Sequence, residues 1–447
     1  MFRKISMGKT SYAENPSENR KAMEKKASHS SWVLRDQTCI WHPFTQAKTA
    51  APPIAIVKGK GSYLYSEAGD AYLDAVSSWW VNLHGHAHPY ICEKIALQAK
   101  ALEHVLFAGF THPQAILLAE RLLSLLPSGY SRVFYSDNGS TSVEVALKMA
   151  FQAAGNGKQI LSFHEAYHGD TFGAMAAAGK THYNRPFWPY LFQVHSIIPP
   201  LPGKEIESWE AFKKKVRSGS IAAFIFEPLI QGSGGMRLHS PEILDRMIKM
   251  CQSEQILTIA DEVMTGFGRT GPLFACSQFS STPDLICLSK GITGGFLPLG
   301  ATIAKESLFE AFCSPDPARA LLHGHSYTAN PLACAAANAS LDLLLEPACI
   351  DARKMIESEH RQFQQRWQNH PKLVRCDVLG TILTIEYRVE KTSYHHPLKA
   401  KLLEFFQQHG ILLRPLGNIL YLLPPYCMTR DELQKIYSVI TITLEKW

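Results

Sequence analysis

Between about residues 90 and 345 the chain alternates helix-length amphipathic stretches with short apolar runs, and few folds accommodate that pattern. Helical periodicity covers 91–106, 113–126, 141–154 and 241–254. The apolar runs are Arg132–Tyr135, Gln159–Phe163, Ile221–Phe226, Ile256–Ala260 and Leu285–Leu288. Each run is of strand length, and such alternation predicts an α/β architecture with a mostly parallel sheet covered by helices. Ahead of it, residues 54–74 read as short strands joined by turns, a meander. Beyond about residue 345 a helix, the short strands Gly380–Tyr387 and Asn418–Leu423 and a last helix read as a smaller α+β domain. No internal repeat or low-complexity block is visible.

Charge excludes some classes of function. The 447 residues carry a net charge of +6, but residues 1–31 hold seven Lys/Arg against Glu14, Glu18 and Glu24 and so account for +4 of it. The body lacks the basic excess of a nucleic-acid binder. Residues 1–31 have no apolar core of a secretory signal and no periodicity, and read as a mobile basic tail. Their three Glu argue against a transit peptide. The ten cysteines are scattered without a Cys-x-x-Cys pair, which fits a reducing, cytoplasmic setting better than a disulfide framework. No apolar run approaches the 18 or more residues of a membrane helix.

In an open parallel sheet, ligands sit beyond the carboxyl ends of the strands. Ile221–Phe226 ends in Glu227-Pro228, Ile256–Ala260 in Asp261-Glu262 and Leu285–Leu288 in Ser289-Lys290-Gly291. Arg132–Tyr135 leads into Gly139-Ser140-Thr141 and a helix. The Gly-Ser start reads either as an ordinary N-cap or as an anion site, most often for phosphate. Asp261, at a buried strand end, needs a cationic or protonated partner; a protein ion pair or a protonated heterocycle would serve. Lys290 is either a solvated surface group or an amine with a lowered pKa that condenses with a carbonyl. Phosphate anchor, buried acid and lysine together are the parts that pyridoxal phosphate requires.

Other motifs fail on context. Gly266-Phe267-Gly268-Arg269-Thr270-Gly271 spells G-x-G-x-x-G, but Pro272 follows it and the acid expected about twenty residues on is absent. Gly173 to Thr181 resembles a P-loop with five intervening residues instead of four, and it follows no strand. His84, His86 and His88 alternate like metal ligands, yet Gly85 and Pro89 break the strand, so they read as a turn and no metal is expected. No G-x-S-x-G elbow is present.

The stretch Asp261 to Gly271 followed by Ser289-Lys290-Gly291 resembles the class III aminotransferases of fold type I, and the match runs from about Trp41 to about Tyr426. Further stretches are similar to the branch that aminates 8-amino-7-oxononanoate to 7,8-diaminononanoate in biotin synthesis. They are Trp41-His42-Pro43-Phe44-Thr45-Gln46, Ser77-Ser78-Trp79-Trp80, Tyr167 to Met175, His323 to Pro331 and Arg414-Pro415-Leu416-Gly417. The resemblance implies a large pyridoxal-phosphate-binding domain over 90–345 with a seven-stranded sheet. It also implies a smaller α+β domain built from both chain ends, 32–89 and 346–447.

The resemblance also implies roles. Lys290 would hold the cofactor and shuttle protons, and Asp261 would pair with its ring nitrogen. Gly139 and Ser140 would bind its phosphate, Tyr167 would stack near its ring and share in catalysis, and Glu227 would sit behind it. His325 and Ser326 would serve the phosphate of the other subunit, which makes the enzyme a homodimer with composite sites. Phe44, Trp79, Trp80, Gly324 and Arg414 would bind substrate, with Arg414 taking a carboxylate by a bidentate pair. Phe44 stands where tyrosine is common, and Gly324-His325-Ser326-Tyr327 where many members have Gly-Pro-Thr-Phe. Both features resemble the branch in which lysine replaces S-adenosylmethionine as donor, so either donor stays open. The alternatives are another class III ω-amino-acid transaminase and, outside catalysis, a cofactor-binding regulator without turnover. The double Trp and Arg414 argue against the first. Lys290 with Asp261, and the absence of a DNA-binding element, argue against the second.

Overall fold

The computed structural model describes residues 32–155 and 157–446; the tail expected over 1–31 lies outside the described residues. The chain forms two compact units. Among the described residues, one comprises 32–58 with 65–71, the other 59–64 with 72–155 and 157–446.

In the first unit, helix Trp32–Cys39 buries none of its residues. The Arg35 guanidinium lies 4.5 Å from the centre of the Trp32 ring, and His42 Nε2 meets Asp36 Oδ2 at 2.8 Å.

The second unit is built on a seven-stranded sheet. Its strands are β1 Tyr130–Ser136, β2 Gln159–Phe163, β3 Val194–Ile197, β4 Ile221–Phe226, β5 Leu257–Asp261, β6 Leu285–Leu288 and β7 Gly300–Lys305. Their order across the sheet is β1-β7-β6-β5-β4-β2-β3. Strand β7 runs antiparallel to both its neighbours; the other pairings are parallel. Five of these strands are the apolar runs read from the sequence; β3 and β7 are additional.

Strand β4 shows why an unbroken apolar run is needed here. All six of its residues are buried. Ala223 and Ile225 join Val143, Ala146 and Ala150 of helix Gly139–Ala154 in one core. Phe224 and Phe226 point to the opposite face, into the core that holds Phe212, Leu244, Met247 and Ile248. A strand covered on both faces loses the in-out alternation of an amphipathic one. Each such side chain contributes roughly 1.5–3 kcal/mol by leaving water.

The register sets the site. Ala260 of β5 pairs with Phe226 of β4 and with Ile286 of β6. The residues next in sequence, Glu227, Asp261 and Cys287, therefore stand level at the carboxyl end, with Lys290 just beyond. Leu73 and Asp74 pair in parallel with Ile411 and Leu412, which brings the start of this unit beside its C-terminal part. There Leu373–Leu379, Ile382–Tyr387 and Ile419–Leu422 form an antiparallel sheet. All ten cysteines are free thiols. No single helix among the described residues is long and apolar enough to cross a membrane.

Candidate active site

A cavity of about 450 Å³ opens at the carboxyl ends of β4, β5 and β6. Gly139, Ser140, Tyr167, Glu227, Asp261 and Lys290 all line it, together with Trp80 and His168. Residues up to 210 positions apart in sequence thus converge on one chamber.

Its anion end is the start of helix Gly139–Ala154. Asn138, not Gly139, is the N-cap: its side chain accepts the Thr141 N–H at 3.0 Å, and Thr141 Oγ1 accepts the Asn138 N–H in return. The first-turn N–H groups of Gly139 and Ser140 have no acceptor within the helix and belong to residues on the cavity wall. A Cβ on Gly139 would fall 2.7 Å from Val263 Cγ1, so only glycine lets this turn approach the loop after β5.

Asp261 is buried. Its Oδ1 accepts the Val263 N–H at 3.1 Å, and its Oδ2 lies 2.7 Å from His168 Nδ1. His168 is fully enclosed, and its Nε2 has no hydrogen-bond partner. Reading the sequence gave His168 no role; its partner is 93 residues away, and only the fold pairs them. Glu227 accepts the N–H groups of Tyr167 at 3.1 Å and Gly232 at 2.8 Å. Burial pushes its carboxyl up to about 7, against the pull of His168.

Lys290 has a left-handed backbone, φ 44°, a strained conformation that a β-carbon disfavours and that recurs at functional residues. Its Nζ stands 4.5 Å from the centre of the Trp80 ring. Burial lowers its pKa to about 8, opposed by Asp261 and Glu227. The amine is therefore partly neutral near physiological pH, as an amine that attacks carbonyls must be.

The Trp79-Trp80 pair occupies a second strained segment. Ser77, Ser78 and Trp80 all have φ between 52° and 68°. Asp74, fully buried, clamps the turn: it accepts the N–H groups of Val76 and Ser78 and meets His86 Nε2 at 2.9 Å. Of the alternating histidines, His86 thus serves this clamp and His84 bonds Ser340 Oγ at 3.0 Å. Trp80 Nε1 donates to Tyr421 Oη at 3.1 Å. The Arg414 guanidinium lies 4.2 Å from the centre of the Trp79 ring. Trp80 on the cavity wall thus meets the Lys290 amine, while its neighbour Trp79, outside the cavity lining, meets the Arg414 guanidinium.

Trp79 and Arg414 do not line this cavity, and four more of the expected site residues are also absent from its wall. Phe44 belongs to the first unit, with φ 53° and a half-exposed ring. Gly324, His325 and Ser326 do not line this cavity. Gly324 and Ser326 are exposed, and His325 closes a local turn in which its Nδ1 accepts the Tyr327 N–H.

The chamber fits pyridoxal phosphate on its donor set: free helix N–H groups for phosphate, a buried carboxylate for a protonated ring nitrogen, and an amine of lowered pKa for an aldehyde.

Comparison with known proteins points the same way. Residues 44–444 match the family described as Aminotransferase class-III. The chain is 48% identical to the adenosylmethionine-8-amino-7-oxononanoate aminotransferase of Synechococcus elongatus, over 91% of this chain and 98% of that one. It is 37% identical to the enzyme of the same name from Geobacter sulfurreducens, over 89% and 94%. Among solved structures, the adenosylmethionine-8-amino-7-oxononanoate aminotransferase of Methanocaldococcus jannaschii superposes with a TM-score of 0.88 at 32% identity, covering 93% of this chain and 98% of that one. An omega transaminase from Pseudomonas jessenii reaches the same TM-score at 26% identity over the same shares.

Proposed function

Because the chain belongs to the class III aminotransferases, we propose that it transfers an amino group to 8-amino-7-oxononanoate, forming 7,8-diaminononanoate for biotin synthesis. Pyridoxal phosphate is its cofactor, and S-adenosylmethionine or lysine its donor. The observation that carries the reading is the adjacent Trp79-Trp80 pair, with Lys290 against Trp80 at 4.5 Å and Arg414 against Trp79 at 4.2 Å. It suits a linear keto acid whose carboxylate lies remote from the reacting carbon. The names of relatives up to 48% identical support it.

Bound in the cavity, pyridoxal phosphate supplies an exchangeable aldehyde and a ring that takes up electrons from the carbon losing its proton. This chain supplies the rest. Gly139 and Ser140 hold the phosphate. Asp261, oriented by His168 and Val263, presents its carboxylate to a protonated ring nitrogen. Lys290 Nζ removes and returns the proton as a positioned general acid–base. Tyr167 covers the ring, and Glu227 fixes the Tyr167 backbone. Trp79 and Trp80 exclude water, and Arg414 anchors the carboxylate. Gly324, His325 and Ser326, outside their own chain's cavity, suit a role at a partner subunit's phosphate in a homodimer. Phe44, a residue of the first unit, is assigned to donor recognition.

Arg414→Ala tests that arrangement. KM for 8-amino-7-oxononanoate should rise roughly 10- to 100-fold, the worth of about 1.5–3 kcal/mol for hydrogen bonds to a charged group, while an uncharged ketone acceptor is used as before. Equal losses on both acceptors would remove Arg414 from carboxylate recognition. The Lys290 amine gives a pH signature. Its protonated form is unreactive, so uptake of pyridoxal phosphate by cofactor-free protein should climb about tenfold per pH unit below pH 8 and level off above it. A rate still climbing at pH 10, read from absorbance, would contradict the lowered pKa.

A further inference from the structure

The cavity wall formed by Tyr167, His168 and Gly169 continues into a six-residue helix, Phe172–Ala177. So short a helix has little stability of its own. Thr171 occupies its N-cap position, yet the Thr171 side chain makes no cap bond. Ordinarily that hydroxyl would accept the N–H of the third helical residue. Here Thr171 Oγ1 instead donates to Glu144 Oε1 at 2.5 Å, and the same Oε1 accepts the Ala174 N–H at 2.9 Å. A carboxylate from another helix therefore does the work of the cap. The contact is close: a Cβ on Gly173 would lie 2.1 Å from Glu144 Oε2.

Glu144 stands one turn beyond Ser140 on helix Gly139–Ala154, and Ser140 is itself an anchor. Its Oγ accepts the Asp170 N–H at 3.1 Å, and a Cβ on Gly169 would fall 2.2 Å from that oxygen. Two successive turns of one helix thus fasten consecutive parts of one segment. Asp170 in turn accepts the Tyr167 hydroxyl at 2.8 Å. The Gly139–Ser140 turn and the Tyr167–Asp170 segment are thereby tied into one body.

We infer that Glu144 is a positioning residue of the transamination site. Acting as an N-cap in trans through Thr171 and Ala174, it holds the Tyr167–Gly169 wall in register with the Gly139–Ser140 turn. The inference rests on the reading of that turn as the phosphate site. What it requires of Glu144 is an acceptor oxygen at the right reach, not a negative charge.

The test is titration of pyridoxal phosphate into cofactor-free wild type, Glu144→Gln, Glu144→Asp, Glu144→Ala and Thr171→Val, followed by quenching of protein fluorescence. kcat and KM are then measured on loaded samples. Glutamine keeps an oxygen where both donors need it, so Glu144→Gln should bind cofactor within about threefold of wild type. Glu144→Ala and the shortened Glu144→Asp should bind about tenfold or more weakly, and Thr171→Val at least about threefold more weakly. On loaded samples the loss should fall on kcat more than on KM. Thr171→Val, nearly isosteric, decides the matter should Glu144→Ala not fold. Unchanged cofactor affinity in Thr171→Val, or a Glu144→Asp protein that binds like wild type beside a Glu144→Gln protein that does not, would overturn the inference. Failure of the wild type to bind pyridoxal phosphate would instead overturn the reading of the site.

Discussion

A Lys290→Ala protein is expected to fold, to retain pyridoxal phosphate and to lose turnover. Positioned general acid–base groups contribute on the order of 10²–10⁴ in rate, and Lys290 is the proposed proton shuttle, so kcat should fall at least about 10³-fold. Folding should survive, because among the described residues the Nζ meets the Trp80 ring and no other, and its charged form is disfavoured where it stands. Retention of cofactor should survive too, because Gly139, Ser140 and Asp261 are untouched. A small primary amine added to the variant should restore part of the rate by supplying the missing base. Wild-type turnover by Lys290→Ala, in a steady-state assay, would sink the mechanism.

Asp261→Asn should have the second-largest effect. The substitution keeps the shape of the side chain and the Oδ1 that accepts from Val263, but it removes the charge that favours a protonated ring nitrogen. Removing one preorganised electrostatic group of this kind typically costs 10²–10³ in kcat, or about 2.7–4 kcal/mol, and a loss of that order is expected here. KM should move far less than kcat, since neither substrate touches Asp261 in this account. A kcat within about threefold of wild type would show that the ring is activated from elsewhere. His168→Phe should reproduce part of the effect, because Asp261 would lose the partner that orients it at 2.7 Å.

Much of this site was legible before the fold was seen, and the reasons are physical. A strand buried on both faces must be apolar throughout, so Ile221–Phe226 and Leu285–Leu288 announce themselves, and the first charged residue after each marks the sheet's carboxyl edge. Glu227, Asp261 and Lys290 followed from that rule, and the register of β4, β5 and β6 puts them together. Strand β7, Gly300–Lys305, carried no such signal: it begins with glycine and is half small residues, and it runs against the parallel grain. Strand β3, Val194–Ile197, is four residues long and places His195 and Ser196 at the sheet's edge. The helix start at Gly139 was read two residues late, because Asn138 rather than Ser140 or Thr141 provides the cap.

The residues that hold the site in shape were the illegible part. His168 meets Asp261 across 93 positions, Trp80 meets Tyr421 across 341, and Glu144 meets Thr171 across 27. Asp74 clamps the Trp79-Trp80 turn from within a strand. None of these pairs has a spacing that local periodicity records; each exists only once the sheet has been assembled. Strain tells the same story. A chain reader sees Ser77-Ser78-Trp79-Trp80 and Lys290 as ordinary residues, whereas the fold holds most of them in left-handed backbone, which is tolerated because buried hydrogen bonds over-determine the turn.

Product formation tests the proposed transamination directly. Purified protein loaded with pyridoxal phosphate is given 8-amino-7-oxononanoate with either S-adenosylmethionine or lysine, the donor nitrogen being isotopically labelled. The 7,8-diaminononanoate is then followed by mass spectrometry. Labelled 7,8-diaminononanoate is expected with at least one of the two donors, and none from Lys290→Ala. A protein that takes up cofactor and deaminates simple ω-amines, yet forms no 7,8-diaminononanoate from either donor, would contradict that expectation and leave a class III transaminase of other substrate.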